Sequence, residues 1–247
     1  MKNSIRCGVA ALIATLALGG LAGCGGNDNA TSSASGSASS AASKAAPKAT
    51  KASFPYKEGA IDAQDLVSRI SAAQKKLKSY HSEGTVAMAN GDQSATIKVV
   101  GDTDLSDPDK PLTHATISGV GQNMETVSDG TTTWVKTDGK WVASDSAQNG
   151  SYNQAMALSQ LADAATSAQY KGKDAQGHHF VLQLDGSKMA GASSGASSLG
   201  TIPAEYWTGD DLTPVKTKMT ITSAGVKSTI EMTMSKFNEP VTIPKVK

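Results

Sequence analysis

Between residues 62 and 80, apolar side chains recur at spacings of three, four and seven. Leu66, Val67, Ile70, Ala73, Leu77 and Tyr80 then share one stripe of a helix. Asp62 stands where an N-cap is needed and Asp65 near the positive end. Lys75, Lys76 and Lys78 stand near the negative end. The pattern predicts a helix over Asp62–Tyr80. After Gly84 the period falls to two. Thr85–Ala89, Ala95–Thr103, Leu112–Gly119, Asn123–Ser128, Thr132–Thr137 and Lys140–Ala143 read as successive strands. Turn signals at Asn90-Gly91, Asp107-Pro108, Asp129-Gly130 and Asp138-Gly139 separate them, so neighbours are antiparallel and the chain meanders. Helical spacing returns over Tyr152–Ala168, followed by a strand at His178–Asp185 and a Ser/Gly/Ala loop at Gly186–Gly200. Two closing strands, Val215–Thr222 and Val226–Phe237, alternate plainly, with Met219 and Ile221 on one and Ile230, Met232 and Met234 on the other. The expected fold class is α+β: a leading amphipathic helix, an antiparallel sheet of about 10–11 strands and an inserted helix.

Composition changes this picture mainly at the amino end. The chain of 247 residues is 38% hydrophobic, but small alanines supply much of that, and aromatics are only 4%. Much of the alanine lies in two segments that should not belong to a core. Residues 1–23 read as a secretory signal: Lys2 and Arg6 give a positive start, Gly8–Leu18 is small or apolar, and Leu21-Ala22-Gly23-Cys24 follows. That tetrapeptide matches the bacterial lipobox, whose pattern implies acylation of Cys24 and cleavage before it. An uncleaved membrane helix fits less well, because Cys7–Cys24 is too short to span and carries four glycines. Residues 24–53 then form a tether of Gly, Ser, Ala, Thr and Asn with nothing to bury. A coil of this length spans roughly 30 Å r.m.s. and stretches to about 100 Å. The folded domain is expected over 54–247.

Charge and cysteine content exclude several classes. The net charge is +1 over the whole chain, and the balance turns mildly acidic once the signal and tether are set aside, so nucleic acid is not an expected partner. Cys7 leaves with the signal and Cys24 is the acylation site, which leaves no disulfide in the mature chain. Gly191-Ala192-Ser193-Ser194-Gly195 matches a nucleophile elbow, but all four histidines precede Ser193 and the surroundings are low-complexity. His178-His179 would point to opposite faces of a strand, with no clustered carboxylate or Cys to complete a metal site. Asp107, Asp109 and the Asp210-Asp211 pair read as turn formers. No catalytic residue, metal or cofactor is expected.

The order lipobox, tether, amphipathic helix, meander, inserted helix and closing hairpin resembles the LppX/LprA/LprF/LprG family of mycobacterial lipoproteins. Two segments carry the likeness: Asp129-Gly130 through Trp134 to Asp138-Gly139-Lys140-Trp141, and Tyr206-Trp207 through Asp210-Asp211-Leu212-Thr213-Pro214 to Lys236-Phe237-Asn238-Glu239-Pro240-Val241. The resemblance implies a fold similar to LolA and LolB, in which a curved half-barrel sheet closes over helices around an apolar cavity. It also implies a membrane-anchored carrier of acylated lipid or glycolipid on the extracytoplasmic face of the cell membrane. On that reading the cavity candidates are Leu66, Ile70 and Leu77 on the helix, with Met219, Ile221, Ile230, Met232 and Met234 on the closing strands. Methionine suits such a wall because its unbranched, polarizable chain fills irregular space. The alternative is a non-enzymatic envelope sensor or protein-interaction module with a filled core and an envelope protein as its partner.

Overall fold

The computed structural model describes residues 54–107, 110–143, 161–189, 200–223 and 225–246. All described strands and helices belong to one compact unit beginning at Tyr56. Its elements are β1 (Gly59–Ile61), α1 (Ala63–Gln74), β2 (Ser79–Asn90), β3 (Gln93–Asp104), β4 (Leu112–Gly119), β5 (Gln122–Ser128), β6 (Thr133–Thr137) and β7 (Lys140–Ala143). After them come β8 (Ala165–Asp174), β9 (Gly177–Asp185), α2 (Gly186–Met189), β10 (Thr201–Thr208), β11 (Pro214–Ser223) and β12 (Val226–Ser235). The strands form one curved, unclosed sheet of 12 in the order β1-β8-β9-β10-β11-β12-β2-β3-β4-β5-β6-β7. Every pairing is antiparallel. The α+β class and the curved antiparallel sheet expected from the sequence are what the chain adopts.

Cross-strand register sorts the side chains onto two faces. Ile202, Ala204 and Tyr206 of β10 stand opposite Leu184, Leu182 and Phe180 of β9, and Ala204 faces Met219 of β11. The row continues through Ile230 to Val86, Ile97 and Gly119. This is the inner face. α1 lies against β8 and buries Leu66, Val67, Ile70, Ala73 and Gln74. Its first turn is closed by Asp62, whose carboxylate accepts from the Asp65 N–H at 2.7 Å. Tyr56 ties the helix to the sheet, donating to Asp65 at 2.8 Å and meeting Phe180 edge-on at 5.7 Å between ring centroids.

Several boundaries differ from the sequence reading. The helix ends at Gln74, and Tyr80 belongs to β2, which begins at Ser79. Leu77 and Tyr80 continue the helical spacing, but Tyr80, Ser82, Gly84, Val86 and Met88 also share one face of a strand. The small residues in that row hide its period from an apolar count. The carboxyl tail fixes the junction: the Lys78 N–H donates to Asn238 Oδ1 at 2.7 Å, the Asn238 N–H to the Ser79 carbonyl at 2.9 Å, and the Ser79 hydroxyl to the Glu239 carbonyl. Residues 161–164 are helical, but Ala165–Ala168 pair with β9 as part of β8. Alanines fit either period, which explains the misreading. The rest of the inserted helix (152–160) lies outside the described residues, as does the Ser193 motif.

β10 was not foreseen because Pro203 argues against a central strand. The β10–β11 pairing runs only from Ala204 to Thr208, so the missing N–H falls beyond that ladder. With β1 and β8 also unforeseen, the sheet has more strands than the 10–11 expected from the sequence.

Two inner-face glycines let neighbouring strands approach closely. A Cβ on Gly84 would sit 2.8 Å from both the Glu231 carbonyl and Met232 Sδ, and one on Gly101 would sit 2.7 Å from the His114 carbonyl. Gly84→Ala should therefore destabilise the fold by about 2 kcal/mol, because backbone rather than a flexible tip must move. Gly200 has open space around its missing Cβ, so Gly200→Ala should change stability by less than about 0.5 kcal/mol. Urea midpoints of the two variants check this, and equal midpoints would remove the role given to Gly84.

Candidate functional site: the inner sheet face

The inner face divides into a covered part and an open part. Beside α1, Phe180, Leu182 and Leu184 are fully buried, and Ala168, Ile202 and Ala204 nearly so. Farther along the sheet the same face stays apolar but is only half-buried at Met219, Ile221, Ile230, Ile117 and Met124. The opposite face of these strands carries Lys216, Lys218, Lys227, Glu231, Glu83 and Lys98, with ion pairs such as Lys98–Glu83 at 3.7 Å and Lys216–Glu231. The open strip is therefore not an artefact of a generally apolar sheet.

Two packed clusters lie beside these half-buried positions, and the second separates those of β11 and β12 from those of β4 and β5. Leu77, Tyr80, Leu105 and Met234 form one, with Phe237 against it at the end where the tail closes over β2. Val86, Met88, Ile97 and Val99 form the other, and Ile230, Ile117, Ala115, Ala95 and Val226 pack on it while keeping part of their surface exposed. The candidates thus separate. Leu66, Ile70, Leu77, Met232 and Met234 are buried in the core, whereas Met219, Ile221 and Ile230 lie along the half-exposed strip. Sequence reasoning passed over Ile117 and Met124, which stand opposite each other on β4 and β5. Their period-two placement was the signal available. Cys24 lies outside the described residues.

The polar groups of this region are structural in geometry. His178 and His179 point to opposite faces, as adjacent strand residues must. His178 is buried, with Nδ1 at 2.6 Å from the Tyr170 hydroxyl and Nε2 at 3.0 Å from Asp210. Asp210 also accepts from Lys173 at 2.6 Å, and this bond, ahead of the one to His178, holds its carboxyl below the usual range. Asp210 is thus a pairing residue, while Asp211 closes the turn as expected, accepting from the Thr213 N–H at 3.0 Å. His179 stacks on Trp207 on the outer face at 4.4 Å, with Glu205 on its Nε2 at 3.0 Å. Among the described residues, no three His, Cys, Asp or Glu side chains gather as metal ligands.

Among the described residues, Gln74 is the exception to this satisfaction. Its side-chain oxygen is buried on the sheet-facing stripe of α1 and finds no donor. An unsatisfied buried acceptor of this kind costs about 1–3 kcal/mol.

The arrangement matches solved structures more readily than sequences. No family model matches the chain, and no curated protein matches it. The crystal structure of LprF from Mycobacterium bovis superposes with a TM-score of 0.54 at 17% identity, covering 76% of this chain and 99% of LprF. The chain has the fold of LprF. Mycobacterium tuberculosis lipoprotein LppX gives a TM-score of 0.49 at 17% identity, covering 73% of this chain and 97% of LppX. A LolA superfamily protein, NE2245 from Nitrosomonas europaea, gives 0.32 at 10% identity over 74% of this chain and 96% of its own. Among the described residues, no helix is long and apolar enough to cross a membrane.

Two tyrosines on the inner face have raised pKa values. Burial pushes Tyr80 up to about 12, against a smaller opposing effect of its hydrogen bond with Thr103, and desolvation does the same to Tyr206. Both folded pKa values lie above the unfolded value near 10, so their contribution is complete below pH 10 and lost as pH rises toward 12. The urea midpoint should hold steady from pH 7 to about 9.5 and fall between about 10 and 12. Tyr80→Phe should flatten that fall, removing on the order of 2 kcal/mol of pH dependence. An unchanged slope in Tyr80→Phe would mean that Tyr80 ionises freely.

Proposed function

We propose that this protein is a lipid-anchored, non-enzymatic binding protein of the bacterial cell envelope, which holds the acyl chains of a lipid or glycolipid on its inner sheet face and carries them across the envelope. The observation that supports this reading most is the strip of half-exposed apolar side chains at Met219, Ile221, Ile230, Ile117 and Met124, on strands whose other face is charged. Apolar surface left half-exposed on a sheet whose other face is charged is a candidate binding site. Met219, Ile221 and Ile230 line the strip, and Leu66, Ile70, Leu77, Met232 and Met234 supply the packed floor and end walls. Methionines at 219 and 124 give the wall an adaptable shape. The lipobox at Leu21-Ala22-Gly23-Cys24 supports anchorage through acylated Cys24, with two chains sufficient for stable attachment. A domain on a tether could then reach lipid away from its own anchor.

Native mass spectrometry of the full chain purified from its own host should show a non-covalent lipid adduct. Ile221→Asp should lower its occupancy by about tenfold or more, since a carboxylate in an acyl contact must be desolvated. The same change at a half-exposed strand end should cost little stability. A chain that carries only its covalent anchor would contradict the reading. Separately, Cys24→Ala should move the protein from the membrane fraction to the soluble fraction. Retention of that variant in the membrane would contradict anchorage at Cys24.

A further inference from the structure

The sequence of elements carries α1 across the inner face. β1 pairs with β8 at one edge of the sheet, whereas β2 lies beyond β12, and the helix is the link between them. Gln74 is its last residue, and the chain runs on from it through Leu77 to β2 at Ser79. Ile70, Val67 and Leu66 precede it by four, seven and eight residues, which places Gln74 on the same sheet-facing stripe. It is only 5% exposed, and its Oε1 has no hydrogen-bond donor. Leucine or methionine would serve a purely packed stripe better, because neither leaves a polar atom dry.

We propose that Gln74 reads a neutral hydroxyl of the bound lipid at the point where acyl chain meets headgroup. This rests on the lipid-binding reading above and adds the ligand's polar feature to it. A hydroxyl both donates and accepts, so it satisfies the amide in either of its two orientations. A carboxylate or phosphate offers acceptors only, and an uncharged amide cannot compensate the cost of bringing its charge inside. The acyl chain would extend from Gln74 along Met219, Ile221 and Ile230, away from the filled cluster of Leu77, Tyr80 and Met234.

The test compares two probes of equal chain length, 1-monopalmitoylglycerol with free hydroxyls and methyl palmitate with none, titrated into the full chain and followed by native mass spectrometry. The wild type should favour monopalmitoylglycerol by about fivefold or more. Gln74→Leu should abolish that preference, bind methyl palmitate at least as tightly, and unfold at no lower urea concentration. Gln74→Met, which keeps the length of the side chain, supplies the same comparison if the leucine variant does not fold. Equal binding of both probes by the wild type, or a preference that survives in either variant, would overturn the role of Gln74 and leave the acyl site standing. A wild type that binds neither probe would overturn the acyl site itself.

Discussion

A single sheet of this width has more inner surface than α1 alone can bury, and much of the described structure follows from that mismatch. At ~4.8 Å per strand the sheet is roughly 50 Å across, whereas α1 is about 18 Å long and about 10 Å thick. The helix lies against β8, beside the dry Phe180, Leu182 and Leu184 of β9, while Val86, Met88, Ile97 and Val99 pack into a separate buried cluster on β2 and β3. Beyond these buried regions, strand alternation leaves Met219, Ile221, Ile230, Ile117 and Met124 apolar and only half-buried.

Close strand approach and the tail contacts frame this face. Gly84 and Gly101 let β2 approach β12 and β3 approach β4 on the inner side, where a Cβ would strike backbone. At one end the tail bonds through Asn238 and Glu239 to the first residues of β2, which holds Leu77, Tyr80 and Met234 in a filled cluster. The strip therefore ends against a wall on that side and runs toward the β2–β3 hairpin on the other. On the outer face, the His179–Trp207 stack and the Lys–Glu pairs spend the polar groups on structure.

Much of this was legible in the sequence, and the misreadings have physical causes. The meander from Ala95 to Ala143 was readable because its strands alternate and turn residues punctuate them, most clearly at Asp129-Gly130 and at Asp138-Gly139, where φ is positive at both residues. The helix was extended to Tyr80 because Leu77 and Tyr80 satisfy two periods at once, and only the tail contacts from Asn238 decide between them. β10 was hidden by Pro203 and β8 by alanines that carry no period. The candidate site was half legible: Met219, Ile221 and Ile230 stood out as alternating apolar positions, but nothing in sequence separates them from Met232 and Met234, which the fold buries. Gln74 carried no signal, since a glutamine at a helix end is ordinary until its burial is seen.

The most direct test of the central claim is methyl NMR of the protein, labelled at Met and Ile, with a nitroxide-tagged stearate added. The account predicts that the methyl resonances of Met219, Ile221, Ile230, Ile117 and Met124 broaden together, while those of the buried Ile70 and Ile202 broaden far less. Broadening confined to other sites, or none at concentrations where the stearate is bound, would contradict an acyl site on the inner face of the sheet.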